Sequence, residues 1–165
     1  MKNSVSAAER QFVEEMGLVF EQTGLPRMSG RIFGWLVIAH HPQQSAEDIA
    51  QALLVSKGAI SSMTRLLIQT GLIERFSLPG VRRDYFRLRA DASRQLIRHG
   101  IEEELRMVRC LAEHGLKLLA DKAPAVRKHL QEMKSLYSFL ERKFPALLRQ
   151  WEQKHKRETS VSPLS

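Results

Sequence analysis

The stretch Leu72 to Arg89 abandons the helical spacing of apolar residues that runs through most of the chain and changes to a shorter period. Its two segments, "LIERFS" and "DYFRLR", are rich in β-branched, aromatic and alternating residues. Between them, Leu78-Pro79-Gly80-Val81 suits a type II turn, because Pro fixes φ at the second position and Gly accepts a positive φ at the third. The segment reads as a β-hairpin. A single hairpin with helices on both sides confines the chain to a mainly α fold with a small β element.

Ahead of the hairpin, Phe12, Met16, Val19 and Phe20 recur at helical spacing from Ala7, and Gly24-Leu25-Pro26 supplies a stop. Ser29 suits the cap of a nearly all-apolar helix, "RIFGWLVIAHH", that Pro42 ends. Ser45 with Asp48 three residues on is a capping-box variant opening a short third helix, and Ser56 caps a fourth. At about 100° per residue the fourth helix puts Ile60, Met63, Thr64 and Leu67 on one side. Lys57, Gly58, Ser61, Ser62, Arg65 and Gln69 fall roughly opposite. One face suits a core; the other suits a polar partner.

After the hairpin, Ile97, Ile101, Leu105, Val108, Ala112 and Leu119 form a stripe in a helix expected to end near Ala120. In the last helix Val126, Leu130, Met133, Tyr137, Leu140, Phe144, Leu147 and Trp151 alternate spacings of four and three, a heptad seam that asks for a partner helix. Pro145 keeps the phase of this seam, so the helix either kinks there or gives way to a second helix with Pro145 in its first turn. The segment "KRETSVSPLS" has no apolar periodicity and is expected to be disordered.

Two short helices joined by a tight turn, the second with a cationic and hydroxylic face, followed directly by a hairpin, make a winged helix-turn-helix. The formal charge of +8 favours a polyanionic partner. Between Ser56 and Arg98 stand nine bases against three acids, so six of those eight charges lie on the reading unit. An arginine on a thin hairpin can enter a narrow minor groove while the neighbouring helix occupies the major groove. The competing reading is that Arg82 and Arg83 merely solvate a turn. A winged helix used for protein interaction is the alternative function, separable by its weaker salt dependence.

The stretch Met28 to Leu88 resembles the GbsR-type branch of the MarR-like transcriptional regulators, above all in "MSGRIFG", "VSKGAIS" and "PGVRRDYF". The resemblance implies a homodimer whose N- and C-terminal helices form the interface and whose two winged units read a palindromic operator in double-stranded DNA. It also implies that a small-molecule effector is an option. Ser56, Lys57, Gly58, Ser61, Ser62 and Arg65 match the family's reading helix, and Arg82 and Arg83 its wing-tip arginines. Two residues depart from the pattern: Leu54 stands where Gly is frequent in the turn, and Val81 replaces a wing acid. A left-handed Leu54 would cost roughly 1 to 2 kcal/mol. The expected organisation is an N-terminal dimerisation helix over 1–27, a winged helix-turn-helix over 28–90, C-terminal dimerisation helices over 91–155 and a disordered tail over 156–165.

Phe20, Trp35 and Tyr137 are the aromatics that would line an effector pocket, against the plainer reading that aromatics at helical spacing are core. Cys110 and His114 share a helix face, but two ligands do not make a metal site, and Cys110, beside the apolar stripe, is expected to be partly buried. No cofactor is expected, and no phosphate loop, nucleophile elbow or paired carboxylates point to an enzyme. The longest apolar run, Ile32 to Ala39, is far below the roughly 20 residues of a membrane span. Without a signal-like leader either, the expected location is cytoplasmic.

Overall fold

Ser6 opens the first helix through a reciprocal pair of hydrogen bonds: its hydroxyl accepts from the Glu9 amide at 3.2 Å, and its own amide donates to the Glu9 carboxylate at 2.6 Å. The computed structural model describes residues 5–161, with side chains as far as residue 155. Helix α1 (Ala7–Gln22) buries Val13, Gly17 and Phe20. Val19, expected in that stripe, is exposed, because it stands about 100° around the helix from Phe20.

Helix α2 (Arg27–Ile38) begins two residues before the expected cap. Pro26, with its fixed φ, pre-sets the entry, and Ser29 is not the cap but a fully buried first-turn residue whose hydroxyl donates to the Pro26 carbonyl at 2.6 Å. The helix also stops before His40 and His41, where Ala39 turns extended. α1 and α2 approach closely at Gly30: a Cβ there would stand 2.6 Å from the Met16 carbonyl oxygen and 2.7 Å from the Phe20 Cβ. Phe20 and Phe33 meet across this crossing with ring centroids 5.3 Å apart.

Strand β1 (Gln44–Ser45) leads into α3 (Ala46–Leu53), where Ser45 and Asp48 form the expected capping box. Helix α4 (Lys57–Gln69) starts at Ser56, whose hydroxyl accepts from the Ala59 amide at 3.3 Å. Between the helices, Leu54 adopts a left-handed conformation (φ 55°, ψ 46°) and the Val55 amide donates back to the Ala50 carbonyl at 3.1 Å. Arg31 of α2 donates to the last α3 carbonyl, that of Leu53, at 3.1 Å. The turn is thus closed from both sides.

Strands β2 (Ile73–Ser77) and β3 (Asp84–Leu88) form the hairpin, with Arg75 opposite Phe86 and Ser77 opposite Asp84. Gly80 has φ 77°, and the Val81 amide donates to the Leu78 carbonyl at 3.1 Å, as the type II reading required. The sheet has a third strand: β1 pairs antiparallel with β3, giving the order β1-β3-β2. The hairpin forms as read, and β1 adds a third strand that, at two residues, is too short to show alternation in the sequence. Ile32, Leu36, Ile49, Leu53, Ile60, Leu67, Leu72, Ile73 and Phe86 fill the core beneath these elements.

The chain divides into two compact units after Leu96, inside α5 (Ala92–Ile97). In the second unit a π-helical turn, Arg98–Glu102, opens α6 (Glu103–Leu118), and α7 (Pro124–Val161) packs against α6. Leu105 and Ala112 are buried, while Ile97 and Ile101 of the expected stripe are exposed. The wide turn, which follows Ile97 and contains Ile101, sets these positions out of phase with Leu105 and Ala112. Arg109 ties the two helices, donating to Glu141 at 2.5 Å and to Glu113 on its own helix at 3.0 Å. Pro145 lies inside α7, which continues as one helix rather than giving way to a second. The same helix runs through 156–161, part of the expected disordered tail, and residues 162–165 of that tail lie outside the described residues.

Candidate nucleic-acid interface

The two-faced pattern of α4 decides what this unit presents. Ile60, Thr64 and Leu67 are buried, and Thr64 closes its hydroxyl onto the Ile60 carbonyl at 2.8 Å. Ser56, Lys57, Gly58, Ser61, Ser62 and Arg65 are all exposed, as are Arg82 and Arg83 at the tip of the hairpin. Between α4 and the hairpin runs an open cleft of about 870 Å³. Lys57, Ser61 and Arg65 line it from the helix and Arg83 from the wing; Ser56, Gly58, Ser62 and Arg82 do not. Half of the expected set is therefore brought together, with the rest on the outer surface of the same elements.

The cleft also contains bases that the pattern alone did not single out, Arg75 and Arg89. Strand alternation is the signal for Arg75: it shares a face with Ile73, so the side of β2 that meets the core also carries a cation along α4. Most of these cations are matched. Arg75 pairs with Asp84 at 3.3 Å and Arg89 with Asp91 at 3.0 Å. Lys57 and Arg83 both pair with Glu47, the latter at 3.6 Å. Arg65 is the lining cation with no acidic partner among the described residues.

The Glu47 carboxyl is held below its ordinary range, first by the hydrogen bond and charge of Lys57 and then by Arg83. Asp91 is also lowered, by hydrogen bonds from Gln95 at 2.9 Å and Arg89 at 3.0 Å, with Arg94 adding a third at 3.2 Å. It anchors the start of α5 just behind the wing. On the outer face of the hairpin Arg87 lies 5.0 Å from the Phe76 ring centroid and pairs with Glu74 at 2.5 Å. The wing is stiffened by its own side chains.

The aromatics expected around an effector are not gathered by this cleft. Phe20 is fully buried in the core, Trp35 donates from Nε1 to Gln44 at 3.2 Å, and Tyr137 belongs to the second unit. Cys110 is exposed, contrary to the partial burial expected beside Val108 and Ala112, since it faces outward from the α6 stripe. Among the described residues no cluster of three or more His, Cys, Asp or Glu could hold a metal ion, and no helix is long and apolar enough to cross a membrane.

A helix-turn-helix whose second helix carries an exposed cationic face, flanked by a three-stranded wing, defines a winged helix-turn-helix protein. A MarR family model matches residues 23–84, and a model described as MmpR5-like MarR family transcriptional regulator matches residues 91–155. The chain is 42% identical over 134 residues to the HTH-type transcriptional regulator MmpR5 of Mycobacterium tuberculosis, covering 79% of each protein. A crystal structure of a transcriptional regulator superposes with a TM-score of 0.71 at 38% identity, over 88% of this chain and 99% of that one. The chain belongs to the MarR family of transcriptional regulators.

Proposed function

We propose that the protein is a cytoplasmic homodimer that binds a palindromic operator in double-stranded DNA, each subunit placing α4 in a major groove and its wing on the adjacent backbone or minor groove. The observation that carries this reading is the convergence of Lys57, Ser61, Arg65 and Arg83 on one cleft. The start of α4, where Ser56, Lys57 and Gly58 are exposed, suits a phosphate, and Arg65, with no acid paired to it among the described residues, suits phosphate or guanine.

Support for the dimer comes from the second unit. Met107, Leu111 and Leu118 of α6 and Val126, Met133, Leu140, Leu147 and Trp151 of α7 are all exposed on a single chain. Five of the eight seam residues are among them, so the seam is uncovered until a second copy packs on it. Regulation by an effector has no comparable support, because Phe20 is sealed in the core and Trp35 is tied to Gln44. Assignment to the GbsR-type branch within the family rests on the three sequence motifs alone.

Selection of bound sites from random duplex by the purified protein tests the reading. It should return a palindrome with half-sites about one helical turn, roughly 34 Å, apart. Binding should weaken with salt at a log-log slope near −7 if about eight phosphates are neutralised. Recovery of no motif, together with a nearly flat salt dependence, would favour the protein-interaction module and end the operator reading.

A further inference from the structure

Glu47 sits in the first turn of α3, exposed beside the cleft, and its two carboxylate oxygens are taken by cations from two different elements. Lys57, the first residue of α4, reaches one oxygen; Arg83, from the wing, approaches the other at 3.6 Å. All three side chains are more than half exposed, so burial does not hold them together. An anionic group with two oxygens, bridging an ammonium and a guanidinium, is what a backbone phosphate would be at that place.

We propose that Lys57 and Arg83 form a single clamp for one DNA phosphodiester, and that the Glu47 carboxylate occupies this clamp in the DNA-free protein. The inference rests on the duplex-binding reading above. It adds a ligand of stated chemistry for two residues and a role for an acid that would otherwise only repel DNA. The clamp also couples wing to reading helix: a phosphate held by both fixes the distance between them, as Glu47 does before binding. When DNA enters, Glu47 loses two cations and recruits a salt cation, cancelling about one of the counterions that the phosphate releases.

Duplex binding by Glu47→Gln, measured across a salt series on a site selected by the wild-type protein, tests this. Glu74→Gln is the control, since it removes an equal charge from the wing beside the cleft but frees Arg87, which lies on the outer face of the hairpin and does not line the cleft. The expected result is roughly three- to tenfold tighter binding by Glu47→Gln near 0.1 M salt, with a slope steeper by about one per subunit. Glu74→Gln should show a smaller gain and a slope near that of the wild type. Lys57→Gln should weaken binding more in the Glu47→Gln background than in the wild type, because there the lysine has no internal partner to lose.

If Glu47→Gln and Glu74→Gln behave alike, or if the Lys57 effect is the same in both backgrounds, the clamp is overturned while operator binding stands. Weaker binding by Glu47→Gln also overturns it, by showing that the carboxylate helps DNA to bind. If the wild-type protein binds no duplex, the function itself fails, and the clamp with it.

Discussion

Leu54 is the described non-glycine residue with a positive φ, at 55°, and it occupies the turn between the two helices of the reading unit. Replacing it with glycine should stabilise the protein. A left-handed residue with a Cβ costs about 1 to 2 kcal/mol, whereas glycine loses about 0.5 to 1 kcal/mol of extra backbone freedom on folding. Leu54 is 83% exposed, so truncation forfeits little packing, and the net gain is about 0.5 to 1 kcal/mol. For a chain of this length that is about 1 to 4 °C in Tm. Urea unfolding at one fixed protein concentration, followed by circular dichroism, reads the difference. Leu54→Ala is the decisive control, since it removes the same exposed side chain and keeps the strain; it should stay within about 0.5 kcal/mol of the wild type. A glycine variant no more stable than the alanine variant would refute the reasoning.

Gly30→Ala should lose about 1 to 2 kcal/mol in the same assay, since the new Cβ would stand 2.6 Å from backbone at Met16 and helix propensity recovers only part of the clash. Asp91, whose carboxyl is lowered from its ordinary 3.8, contributes stability fully present above about pH 4 and lost as pH falls below it. Acid unfolding of Asp91→Asn should therefore be flatter than that of the wild type below about pH 4, with the two diverging most near neutrality. Leu147→Glu, on the exposed seam, should turn a dimer into a monomer in size-exclusion light scattering; an unchanged mass would place the interface elsewhere.

The architecture was largely legible because each element carries its own local signal. The Ser45 capping box, the Ser56 cap and the Pro79-Gly80 turn are short-range chemistry, and all three form as read. Features that depend on distant contacts were not legible. Pairing of Gln44 and Ser45 with β3 needs the hairpin already in place, and Ser29 is buried because α1 crosses α2 at Gly30, which no window of α2 reveals. The π turn at Arg98–Glu102 changes the phase of a stripe whose composition looks continuous. For the site, the types and faces of Lys57, Ser61 and Arg65 followed from helical geometry. What the pattern could not show was how charges meet across elements: Glu47 reads as a helix-start acid until Lys57 and Arg83 are seen to converge on it.

If helix and wing cations face a single duplex, the salt slope of individual variants registers it most directly. Arg65→Gln should make the slope of operator binding shallower by about two per dimer, one phosphate in each subunit being no longer neutralised, and Arg83→Gln, which leaves Lys57 on the shared phosphate, should make it shallower by a smaller amount. Arg142→Gln, an equal loss of charge on α7, should leave the slope unchanged. Equal slopes for all three variants would show that the charge acts only at long range and that the cleft between α4 and the wing is not where DNA binds.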